Sequence, residues 1–124
     1  MRWRRSVGCD ARTLRLVPFQ SGVLATDARG VAVRVLASGE LDWHLGAEGD
    51  ELASAIAPLL RRQVFIVPGP LTRLIDPRSG RVLAELDTGP RLAGLEVDEK
   101  LNLYVYREPG SLERYAPGAL LSVV

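Results

Sequence analysis

Asp42-Trp43-His44 is the stretch of this chain best equipped for chemistry, because it sets a carboxylate two residues from the sole histidine, with Ser38 just upstream. A histidine base, an acid that orients it and a hydroxyl nucleophile are the parts of an acyl-transfer site. The spacing works against that use. On an extended strand Asp42 and His44 share one face, while Ser38 lies across a turn. The three groups do not converge, and a solvent-facing or packed histidine is expected. Asp27, Asp76, Asp87 and Asp98 would hold a cation only if their loops met. They occupy turn positions, where a carboxylate bonds to its own backbone, and the EF-hand spacing is absent. One cysteine, Cys9, and one histidine cannot form a disulfide within the chain or a Cys/His zinc site of four side chains. Nothing near Cys9 in sequence would lower its pKa, so it is expected to be a free thiol without a role.

Two small basic groups remain, Arg61-Arg62 and Arg2, Arg4, Arg5 with Trp3 interleaved. Basic residues mixed with an aromatic suit an acidic partner or a nucleic acid. The net charge of only +1 supplies no field to gather a polyanion. No nucleic acid is expected, and the N-terminus is expected to be a solvated extension. Phosphate loops rich in glycine, the Gly-x-Ser-x-Gly elbow and His-Glu-x-x-His are all missing from the sequence. No catalytic, cofactor-binding or metal-ligating residue is therefore assigned, and no cofactor is expected.

The elements that position these residues follow from punctuation. The 124 residues are 47% hydrophobic and 25% charged, an ordinary globular composition for one domain. No run approaches the ~18–20 apolar residues of a membrane span. Met1-Arg-Trp-Arg-Arg5 is not followed by the apolar core of a signal peptide, so a cytoplasmic location is expected, or a periplasmic one if the chain belongs to a longer secreted protein. Short apolar or alternating runs recur between Gly, Pro, Asp and Ser. They read as strands over 13–18, 22–26, 31–36, 40–44, 52–57, 63–67, 71–75, 81–86, 92–97, 101–106, 111–115 and 119–124. Residues 52–57 also suit a short helix capped by Asp50 and stopped by Pro58. No long helical patterns alternate with the strands, which argues against a parallel α/β sheet.

A repeat orders the strands. Pro18, Pro58 and Asp98 are spaced 40 and 40, and each is followed by an apolar strand and then by a strand leading to a turn glycine. Those glycines, Gly39, Gly80 and Gly118, are 41 and 38 residues apart. A gapless alternative lays 27–43 on 98–114 and pairs Asp27 with Asp98. The forty-residue register is preferred because it accounts for all of 13–124. It gives an N-terminal basic extension over 1–12 and four-stranded units over 13–46, 50–88 and 90–124. Units of four strands and about forty residues are propeller-type blades. The expected fold is all-β, with about three antiparallel blades, too few to close a ring alone.

Val64-Phe-Ile-Val67 followed by Leu74-Ile-Asp-Pro-Arg-Ser-Gly80 resembles the repeat of quinoprotein-like (PQQ-like) propellers, with its strand, Asp76 turn and turn glycine. Gly39-Glu-Leu-Asp-Trp43 is similar to the same repeat, and Trp43 stands where that family places a blade-docking tryptophan. The matching positions in the later units are Ala84 and Ser122. Leu95 to Tyr106 also resembles NHL- and YVTN-type repeats. The resemblance implies that Trp43, Phe65, Leu74 and Tyr104 fill the spaces between blades. It implies two functions: a non-catalytic protein-binding or assembly module, or a fragment of a quinoprotein-like dehydrogenase whose site lies in other blades. The paired cysteines of many such dehydrogenases cannot exist here. Open blade faces call for a protein partner or for self-association, as in a homodimer.

Overall fold

The computed structural model describes residues 2–10, 12–46, 57–69, 71–88, 92–108 and 110–116. Within them the chain is all-β, with no helix and three antiparallel sheets, none closed into a barrel. The first sheet holds β1 (Arg15–Phe19), β2 (Gly22–Thr26), β3 (Ala32–Leu36) and β4 (Leu41–Leu45) in that order. The second holds β5 (Leu59–Arg61), β6 (Val64–Val67), β7 (Leu71–Ile75) and β8 (Val82–Asp87) in that order. The third holds β9 (Leu92–Val97), β10 (Leu103–Arg107) and β11 (Ser111–Tyr115), with β10 central. This arrangement is consistent with a partial propeller-like fold.

Turn chemistry sets the strand ends. Arg62 and Gln63 both take positive φ, +51° and +62°, and close a two-residue hairpin in which Arg61 pairs with Val64. That pairing makes Leu59–Arg61 the first described strand of the second sheet. The strand or helix expected over 52–57 lies, except for Ala57, outside the described residues, as does the strand expected over 119–124. Leu101 has a φ of +64° and sits inside the Asp98 turn, so β10 starts at Leu103 and not at residue 101. The turns at Asp27 and Asp98 are of one kind. In each, the aspartate N–H donates to the carbonyl four residues on, Val31 at 3.2 Å and Asn102 at 3.1 Å. This shared geometry is what the gapless alignment of 27–43 on 98–114 detects.

Apolar residues join the sheets in chain order. Phe19, Leu24 and Ala32 of the first sheet pack with Phe65, Val67 and Ile75 of the second, and Trp43 and Leu60 border them. Val64, Ile66 and Leu74 of the second pack with Val97 and Leu103 of the third. The strands between the sheets bury both faces, so β6 reads as an unbroken apolar run, Val64-Phe-Ile-Val67, fully buried. Arg34 is the charged exception within the first interface. Its guanidinium donates to Asp42 Oδ2 at 3.0 Å, to Gln20 Oε1 at 2.7 Å and across the gap to the Arg78 carbonyl at 3.3 Å. It also lies over the Phe19 ring, 5.0 Å from its centre.

Candidate functional site

The residues with chemical potential are dispersed by one local irregularity. Between β3 and β4 the register shifts, so that Arg34 pairs with Trp43 and Val35 with Leu41. Asp42 is the extra residue of this bulge. Its carboxylate turns to Arg34, on the side of the second sheet. His44 pairs with Val33, which belongs to the opposite, outer face. The bulge thus overturns the expectation that Asp42 and His44 share a face. Ser38 Oγ accepts from the Glu40 N–H at 3.4 Å and serves its own turn. The four aspartates stay apart, Asp27, Asp76 and Asp98 in separate turns and Asp87 at the end of β8. Among the described residues no group of three or more His, Cys, Asp and Glu could hold a metal ion. Asp76 accepts from the N–H of Arg78 at 3.0 Å and from its Nε at 3.3 Å. Burial opposes ionisation of Asp76, but these bonds hold its carboxyl below the ordinary value.

The Arg61-Arg62 pair faces the third sheet. Arg61 lies 3.7 Å from Glu96, and Arg62 donates to the Glu99 carbonyl. The pair therefore joins two sheets by charge and hydrogen bonding.

What the structure does build is a repeated docking contact. Trp43 covers Gly80 in the turn between β7 and β8. A Cβ at Gly80 would sit 2.6 Å from Trp43 Cγ. The indole N–H donates to the Pro77 carbonyl at 2.8 Å. Gly80 has a φ of +78°, so glycine is required there twice over, by conformation and by contact. The same contact occurs one unit earlier. Trp3 covers Gly39, where a Cβ would sit 2.8 Å from its Cγ, and its indole N–H donates to the Ala37 carbonyl at 2.7 Å. Trp3 lies forty residues before Trp43, and Ala37 forty before Pro77. Neither a known protein-family model nor a curated protein matches the chain. The chain's most specific relation is the one between its own units.

Trp3 is the residue that strand patterning misses, although its forty-residue spacing to Trp43 is visible in the sequence. The N-terminal segment around it is packed and not merely solvated. Arg5 Nε donates to the Gly39 carbonyl at 2.8 Å, and Val7 and Cys9 pack on Ala25, Val33 and Val35 of the outer face of the first sheet. Asp27 fastens the end of the segment. Its buried carboxylate accepts from the N–H groups of Asp10 at 2.8 Å, Arg29 at 2.9 Å and Val31 at 3.2 Å. Gly118 lies outside the described residues.

Cys9 shares this packing. Burial pushes its thiol up to about 11, the charge of Asp27 adds to the rise, and Arg29 partly opposes it. The thiolate is the reactive species. At pH 8 Cys9 should therefore react with a maleimide or iodoacetamide about 100-fold more slowly than an unperturbed cysteine. Comparison of the folded and urea-unfolded chain measures this ratio directly, and equal rates would contradict the packed segment.

Proposed function

We propose that the chain is a propeller-like binding and assembly module that works through the two end faces of its sheet stack. One observation carries the reading. Among the described residues the exposed large hydrophobics are Trp3, Leu16, Leu41, Leu71, Tyr106 and Leu112, and all but Leu71 lie at the two ends. Leu16 pairs with Ala25 and Leu41 with Val35, partners that belong to the outer face of the first sheet. Leu16 is 61% exposed. At the other end Tyr106 pairs with Leu112, on the face of the third sheet turned away from Leu103 and the second sheet. Leu112 is 70% exposed. Apolar side chains gathered on a face, rather than scattered singly, mark a surface meant to be covered.

The repeat explains why the ends differ from the middle. The second sheet has a neighbour on each side, and its two faces are filled by the two interface clusters. Among the described residues no further sheet packs against either outer face. The reading is tested by charge insertion. Leu16→Asp and Leu112→Asp should each weaken association, with another copy or with a co-purifying protein, at least tenfold, with the circular dichroism spectrum unchanged. Leu71→Asp, on the middle sheet, should leave association as it was. An equal effect of all three, or no effect of either end substitution, would contradict the proposal.

A further inference from the structure

We infer that the outer face of the third sheet docks on the same face of a second copy, in a pair whose two-fold axis runs along β10. The inference rests on the docking function proposed above and names the partner of one end. The strand register lays this face out in two rows. Tyr104 pairs with Glu96 of β9 and Arg114 of β11, and Tyr106 pairs with Gly94 of β9 and Leu112 of β11. Residues directly opposed across strands share a face. Leu103 and Val105, which alternate with the tyrosines, are buried on the other side. The outer face therefore reads Glu96–Tyr104–Arg114 in one row and Gly94–Tyr106–Leu112 in the next.

Each row is complementary to itself. A half-turn about an axis along β10 exchanges the two flanks, so β9 of one copy lies over β11 of the other. Glu96 then meets Arg114, Gly94 meets Leu112, and each contact occurs twice. The charges are available for this use. Glu96 commits Oε1 to the Val97 N–H at 3.1 Å and to Arg61 at 3.7 Å, while its Oε2 has no partner among the described residues. Arg114 is exposed and has no ion-pair partner among them. Gly94 is the independent observation. It lies inside β9, where a glycine weakens the strand. Its φ is outside the left-handed region, and a Cβ there would stand 3.5 Å from Tyr106 Cβ, an ordinary contact. The nearby bulge takes Ala93 as its extra residue, not Gly94. A strand glycine that its own chain does not require marks the close approach of another. Leu112, 70% exposed, is the side chain that fills the hollow. Three short strands span only about 14 by 17 Å. That is small beside the ~800 Å² per partner of a standard interface, so the pair should be reversible and concentration-dependent.

Charge exchange tests the pairing. Leu16→Asp silences the other end face, so association in that background reports on the third sheet alone. There Glu96→Arg and Arg114→Glu should each pair at least about tenfold more weakly in sedimentation equilibrium, because like charges face each other at both contacts. Mixed in equal amounts, the two variants should pair as tightly as the unsubstituted face, since every introduced charge then meets its opposite. Gly94→Val should leave the urea midpoint unlowered, as a better strand residue, yet weaken pairing by a similar factor. No recovery on mixing, or pairing that ignores Gly94→Val, would overturn the inference. A chain that stays monomeric in this background, yet loses a different protein on Leu112→Asp, would lose this inference and keep the docking function.

Discussion

Gly80→Ala is expected to destabilise the fold by about 3–5 kcal/mol, a large part of the ~5–15 kcal/mol that holds a domain together. Two effects add. Gly80 has a φ of +78°, where an L-residue is disfavoured by roughly 1–2 kcal/mol. The new methyl would also lie 2.6 Å from Trp43 Cγ and 2.7 Å from Cδ2, far inside van der Waals contact. The indole must leave its seat. It then gives up the bond to the Pro77 carbonyl, worth about 0.5–1.5 kcal/mol net, along with its packing on the second sheet. The two effects separate in a double-mutant cycle. In a Trp43→Ala background the clash is gone, and Gly80→Ala should cost only the roughly 1–2 kcal/mol of backbone strain. Urea denaturation midpoints measure all four corners. Equal costs in both backgrounds would mean that the tryptophan is not seated on the glycine.

Asp27→Ala is the second large effect, about 3–5 kcal/mol, because it strands several buried donors at roughly 1–3 kcal/mol each. The carboxylate accepts from the N–H groups of Asp10, Arg29 and Val31, and its side chain is fully buried. Asp27→Asn should be milder for the turn, since one oxygen still serves Arg29 and Val31. Its amide would nevertheless oppose the Asp10 N–H, so exchange of residues 7–10 should rise even in the milder variant. The same bonds give an acid dependence. Burial alone would raise the Asp27 pKa, but the backbone N–H donors Asp10, Arg29 and Val31, joined by the Arg29 side chain, bring it below the ordinary value. Asp98 is lowered to about 2, first by the Asn102 side chain and then by its N–H. A carboxyl lowered in the folded state contributes stability above its unfolded pKa of about 3.9 and loses it as pH falls toward the folded value. Stability should therefore fall between about pH 4 and pH 2. An unfolding midpoint flat across that range would contradict the aspartate turns.

Much of the fold was legible because its signals are local. The strands expected over 22–26, 71–75, 92–97 and 111–115 occur as β2, β7, β9 and β11 with the same limits. Alternation between turn residues was sufficient for them. Misplaced ends trace to backbone states that residue type conceals. Arg62, Gln63 and Leu101 adopt positive φ, which the sequence advertises only when glycine is present. The site was harder to read. A bulge moves Asp42 and His44 to opposite faces, and strict alternation cannot foresee one inserted residue. Trp3 was hidden by its basic neighbours, although its distance to Trp43 equals the repeat. Long-range docking is legible only when the repeat is carried past the last clear strand.

Sedimentation equilibrium of the unsubstituted 13.5 kDa chain tests the covering of the open ends most directly. A species heavier than one chain is predicted, shifted toward the monomer by Leu16→Asp and by Leu112→Asp. A monomer at every concentration that also binds no other protein, with Tyr106 and Leu112 still open to solvent, would contradict the docking function.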